Sequence, residues 1–173
     1  MPGNTCRVMG SRTEIDRLVA RLLSRTKKAY GDDLVSFVLF GSVARGVPRP
    51  DSDIDILIVA DNFPSGRMNR VAEFEEEVEK PVEKDVANLR KKGIYTFLSP
   101  IFKTREEVLH GSPLFLDMIE SSKILFDRDE FFKDYLKGLR KRMKELGSRK
   151  VKRGNAWYWI LKPDYKEGDI IEL

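Results

Sequence analysis

Leu39-Phe40-Gly41-Ser42-Val43-Ala44-Arg45-Gly46 and, beyond the connector Val47-Pro48-Arg49-Pro50, Asp51-Ser52-Asp53-Ile54-Asp55-Ile56-Leu57-Ile58-Val59 form the stretch whose reading decides the fold. Three mechanisms compete for it, and spacing separates them. A phosphate-binding P-loop needs glycine, four residues, glycine, then lysine and a hydroxyl residue. Gly41 and Gly46 supply the glycines, but Val47-Pro48 follows. A calcium loop starting at Asp51 demands glycine at its sixth place and glutamate at its twelfth, where this chain has Ile56 and Asn62. The third reading takes the two halves together. Residues i and i+2 of a strand project to one side, so Asp53 and Asp55 set two carboxylates about 6–7 Å apart, enough for one or two hard divalent ions. Ile54 and Ile56 then face the core. Gly41 bends the backbone at the end of the preceding strand, and Ser42 caps the following helix, leaving N–H groups and a hydroxyl for phosphate oxygens. Arg45, one turn on, adds a charge-assisted contact.

Working outward, Ile15, Leu18, Val19, Leu22 and Leu23 repeat at the spacing of one helical face, which predicts a helix over Thr13 to Tyr30. Leu34 to Phe40 is a nearly continuous apolar run, a buried strand, and Ile54 to Ala60 is the next. Met68, Val71, Ala72, Phe74 and Val78 predict a second helix, ended or kinked at Pro81, with an acidic outer face between Val71 and Ala87. Ile94 to Phe102 is a third strand candidate. Thr104-Arg105-Glu106-Glu107 opens a helix, Pro113 to Ser121 forms another, Lys123 to Phe126 a short strand, and Phe131, Tyr135, Leu139, Met143 and Leu146 the stripe of a last long helix. Arg149 to Arg153, Gly154-Asn155 and Ala156 to Leu161 read as a hairpin. The expected class is α+β, a mixed sheet flanked by helices with a C-terminal helix and β-hairpin extension. The expected domains are residues 1–127 and an extension, residues 128–173, packed on the same domain.

The 173 residues carry 32 Lys and Arg against 28 Asp and Glu, a net charge too small to argue for nucleic acid by itself. No window approaches 18 uninterrupted apolar residues, and the N-terminus lacks an apolar run followed by a cleavage site. Membrane-spanning and secreted readings fall away, and a cytoplasmic protein is expected. With one cysteine, Cys6, and one histidine, His110, no disulfide or zinc cage can be built. A metal site must use carboxylates, which points to magnesium.

Gly41-Ser42, a short helix, then Asp53-x-Asp55 inside an apolar strand resembles the signature of the nucleotidyltransferase superfamily that includes DNA polymerase beta, and especially its minimal stand-alone members. The resemblance directly covers about residues 38–60, and the element order extends it to about residues 13–105. It implies a nucleotidyltransferase fold and a transferase reaction. Gly41, Ser42 and Arg45 would hold a nucleoside triphosphate such as ATP, and Asp53 and Asp55 would be the catalytic, magnesium-binding pair. An acceptor hydroxyl, of a protein, RNA or small molecule, would attack the α-phosphorus and release pyrophosphate. Such members often work beside a separate helical partner protein. The family usually places a third carboxylate on a nearby strand, and the strand expected to carry it, Ile94 to Ile101, has none. Asp85, Glu106 or another acid would have to reach in, or the acceptor would bring its own base. The alternative is a catalytically weakened nucleotide-binding or partner subunit of the same fold.

Lys133 to Arg153 holds ten Lys or Arg residues against Asp134 and Glu145. Followed by Trp157-Tyr158-Trp159, residues 133–153 suit a nucleic-acid surface with stacking rings. The plainer reading, which we favour, is a solvated helix face and an aromatic cluster that packs the hairpin onto the domain. His110 and Cys6 carry no functional expectation.

Overall fold

The computed structural model describes residues 4–154, 156–167, 169 and 171. Helix α1 (Asn4–Tyr30) leads into β1 (Leu34–Phe40), the short α2 (Gly41–Ala44) and β2 (Ile54–Ala60). Next come α3 (Arg67–Phe74), α4 (Glu83–Lys91), β3 (Leu98–Lys103), α5 (Arg105–Leu109) and α6 (Pro113–Ser121). The chain closes with β4 (Lys123–Asp127), α7 (Phe131–Glu145) and the hairpin of β5 (Arg149–Arg153) and β6 (Ala156–Ile160). The main sheet runs β3-β2-β1-β4, with β2 and β3 parallel and the other pairs antiparallel. It is the mixed sheet, flanked by helices, that the sequence predicts.

Strand β1 is buried along its length up to Phe40 because both sheet faces are covered. On one face, Ile54, Ile56 and Ile58 of β2 pack with Leu18 and Leu22 of α1 and Phe74 of α3. On the other, Leu57 and Val59 pack with Phe115 of α6 and Phe132, Leu139 and Met143 of α7. Alternation along β2 puts Asp55 on this second face, under the C-terminal helices. Asp127 accepts N–H bonds from Phe132 (3.0 Å) and Lys133 (2.9 Å), anchoring the start of α7 to the end of β4.

The structure corrects several boundaries. Helix α1 starts at Asn4, nine residues before the expected Thr13, in a stretch that no proline interrupts. Met68 and Ala72 are exposed, and the buried face runs through Phe74, Val78 and Val82 instead. Pro81, expected to end or kink the helix, interrupts its α-helical geometry without ending it. A π-helical turn at Glu75–Glu79 and a 3₁₀ turn at Lys80–Val82 absorb the missing donor and carry the chain into α4. Strand β3 begins at Leu98, not Ile94, because the Ile94 N–H is taken by Leu89 O of α4 and residues 95–97 bond Pro50, Ser52 and Ile54 instead. Stripe positions Leu139 and Met143 are buried, with Phe132 in place of Phe131 as the third. Among the described residues, no helix is long and apolar enough to cross a membrane. Asn155, expected in the hairpin turn, lies outside the described residues.

Candidate active site

Gly41 begins α2 with φ at +69°, the left-handed region that glycine enters without steric cost. The residue before the helix is Phe40, and no side chain caps it. Ser42 is therefore the second residue of the turn rather than its cap, because the bend at Gly41 starts the helix one residue early.

Asp55 lies beside this bend. It pairs with Phe40 of β1 on one side and with Ser99 of β3 on the other. A β-carbon built on Gly41 would overlap Asp55 Oδ2, so only glycine lets the backbone come this close. Asp53 is exposed and sits one residue before β2, not inside it as the sequence suggested. Partial burial, first, and the like charge of Asp53, second, raise the Asp55 carboxyl above its ordinary range. The Arg45 guanidinium and a hydrogen bond with the Ser99 hydroxyl pull it back only in part.

Sequence reasoning missed what holds the Asp53 loop. The Ile54 N–H donates to Phe97 O (2.8 Å), the Tyr95 N–H to Pro50 O (2.6 Å), and the Thr96 hydroxyl to Ser52 O (2.8 Å). Thr96 is 1% exposed, so its hydroxyl is committed to that bond. Arg49 N–H donates to Ser52 Oγ and Ser52 N–H to Arg49 O, closing the turn from the other side. The buried threonine among Ile94, Tyr95 and Phe97 is the one signal that could have flagged this latch.

The donor set fits a hard divalent ion. Two neighbouring carboxylates repel each other here, and magnesium is characteristically held by one or two carboxylates with substrate phosphates completing its shell. Among the described residues no third acid joins them. The position across from Asp55 is Ser99. Asp85 is paired with Arg21 of α1, and Glu106 is exposed on α5, beyond the far end of β3. Neither acid suggested from sequence completes the pair.

Arg45, exposed at the end of α2, also lines a groove of about 960 Å³ together with Lys123, Lys150, Lys152, Asp117 and Trp157. The indole N–H groups of Trp159 (3.1 Å) and Trp157 (3.3 Å) both donate to Asp117 Oδ1. Lys150 lies over both rings and pairs with Asp117 and Glu120. Trp159 packs on the second core, whereas Trp157 and Tyr158 are each 48% exposed. His110 is an exposed residue ending α5.

Residues 19–126 match the family model of the nucleotidyltransferase domain. The chain is 31% identical over 137 residues to a Methanocaldococcus jannaschii protein named "Putative protein adenylyltransferase", an alignment spanning 76% of this chain and 85% of that one. Among solved structures, a "putative nucleotidyltransferase" of Sulfolobus solfataricus aligns with a TM-score of 0.46 and 18% identity, over 75% of this chain and 96% of the other. A toxin–antitoxin structure with AMP-PNP aligns with a TM-score of 0.41 and 17% identity, over 79% and 92%.

Proposed function

The chain belongs to the nucleotidyltransferase domain family and is a transferase, and from that premise we propose that it moves an adenylyl group from ATP to a hydroxyl of an acceptor protein. The observation that carries the site assignment is the close approach of Asp55 to the glycine-led turn at Gly41, a turn closed by the Arg45 N–H on Gly41 O (3.2 Å). The name of the Methanocaldococcus relative supports the adenylyl group and the protein acceptor.

In this reading the left-handed Gly41 keeps a side chain out of the space beside Asp55, and the N–H groups of the first turn of α2 with the Ser42 hydroxyl take triphosphate oxygens. Arg45 adds a positive charge on the same side. Asp53 and Asp55 would hold magnesium, which when bound offsets charge on the triphosphate and on the departing pyrophosphate. Attack in line by the acceptor oxygen on the α-phosphorus forms the new P–O bond as the bond to pyrophosphate breaks. The acceptor proton goes to solvent or to a base on the acceptor protein, since Ser99 stands where a third acid would face Asp55. Little is asked of the chain beyond position and charge.

Labelled ATP tests this. With magnesium and a soluble protein extract, label at the α-phosphate passes to protein and label at the γ-phosphate does not. Transfer of the γ-label would make the chain a kinase and overturn the reading.

A further inference from the structure

The groove beside Arg45 is not explained by the phosphate and metal chemistry. Three of its lining residues, Lys150, Lys152 and Trp157, lie beyond residue 126, where the match to the family domain ends. The extension thus closes one wall of a groove whose other lining residues, Arg45, Asp117 and Lys123 among them, belong to the family domain.

Its chemistry is specific. In the β5–β6 register Lys150 faces Trp159 and Lys152 faces Trp157, so all four side chains share one face of the hairpin, turned toward α6. Asp117 and Glu120 neutralise Lys150. Arg45, Lys123 and Lys152 enter no ion pair among the described residues, which leaves the groove an excess of positive charge. The Trp157 ring is held by its bond to Asp117 and by the Lys150 ammonium, 4.9 Å from the ring centroid, yet stays 48% exposed. An indole fixed in orientation and left open in a cationic groove is a stacking surface for a flat ring that carries phosphate. Arg45 joins this groove to the turn beside Asp55, since its backbone N–H donates to Gly41 O (3.2 Å) while its side chain lines the groove. The groove volume of about 960 Å³ accommodates a nucleoside.

The geometry points to the groove as the nucleoside subsite, with Trp157 stacking on the base of the triphosphate whose phosphates lie at Gly41 and Ser42. This rests on the triphosphate reading above and extends it: the hairpin supplies the stacking surface for the base, beside phosphates held by the family domain.

Titration of the whole chain with magnesium and three probes decides it: ATP, inorganic tripolyphosphate, and single-stranded oligoadenylate. We expect ATP to quench indole fluorescence, Trp157→Ala to weaken ATP binding about tenfold or more, and Trp157→Phe to retain most of it. Tripolyphosphate, lacking a base, should bind wild type and Trp157→Ala alike, which also shows that the variant is folded. Equal ATP affinity in wild type and Trp157→Ala overturns the inference. So does a parallel loss of ATP and tripolyphosphate, because the ring would then only hold the fold. Oligoadenylate binding more tightly than ATP through Trp157 would make the groove a nucleic-acid site and overturn it as well. If neither ATP nor tripolyphosphate binds wild type, the triphosphate reading itself falls, and this inference with it.

Discussion

Gly41 and Asp55 meet across the β1–β2 pair so closely that a β-carbon at residue 41 would overlap Asp55 Oδ2 and stand 3.0 Å from its Cγ. No side chain can be added at residue 41 without moving Asp55.

Gly41→Ala should therefore be costly twice, through the overlap and through a φ of +69° that disfavours any β-carbon. We expect a loss of about 1–3 kcal/mol in stability and loss of transfer. Chemical denaturation and label transfer check both. Wild-type stability and activity in Gly41→Ala would show that the close approach is not required.

Asp55→Asn should separate stability from activity. The Asp55 carboxyl titrates above its usual value of 3.8 in the folded chain, so the folded state holds that proton more tightly than the unfolded one. Its stabilising contribution is full in acid and fades as pH rises through the folded value, leaving a repulsive cost at neutral pH. The variant should melt higher than wild type at pH 7. The gap should close toward pH 4. Melting curves at both pH values check this; a lower Tm for the variant at pH 7 would reverse the sign.

Thr96→Val removes one hydroxyl and leaves the shape. The buried bond to Ser52 O is lost, and about 1 kcal/mol of stability should go with it. Because that bond holds the loop carrying Asp53, turnover should fall more than ATP affinity does. Unchanged turnover would detach the latch from the site.

In the groove that Arg45 also lines, Asp117→Ala should free the hairpin from α6. Burial works against the Asp117 charge, but hydrogen bonds from Trp159, Lys150 and Trp157 outweigh it and hold the carboxyl below its ordinary value. That contribution is present above the unfolded value of 3.8 and is lost as pH falls through the folded one. Proteolysis near residues 149–161 should therefore speed up in the variant at pH 7, and in wild type only below about pH 4. Equal cleavage of both proteins at pH 7 would contradict this anchoring role.

The parts legible in the sequence were those governed by local rules. Gly41, Ser42 and the spacing to Asp53 and Asp55 located the turn and the acidic pair, and the apolar runs marked β1 and β2. The capping box of Thr104 and Glu107 placed the start of α5. What escaped depends on contacts between distant segments. The start of β3 shifted because residues 95–97 are tied to residues 50–54. The turn at Pro81 stayed helical because Val78 and Val82 are fully buried on either side of it. The groove wall could not be read at all, since Arg45 and Trp157 lie more than a hundred residues apart and only the fold brings them together.

The most direct measurement is the rate of pyrophosphate release from ATP, with magnesium and acceptor protein, for wild type, Asp53→Asn and Asp55→Asn in parallel. A two-carboxylate site predicts release by wild type and a loss of about a hundredfold or more in each variant. Equal rates in all three proteins would remove both aspartates from the reaction and contradict the account.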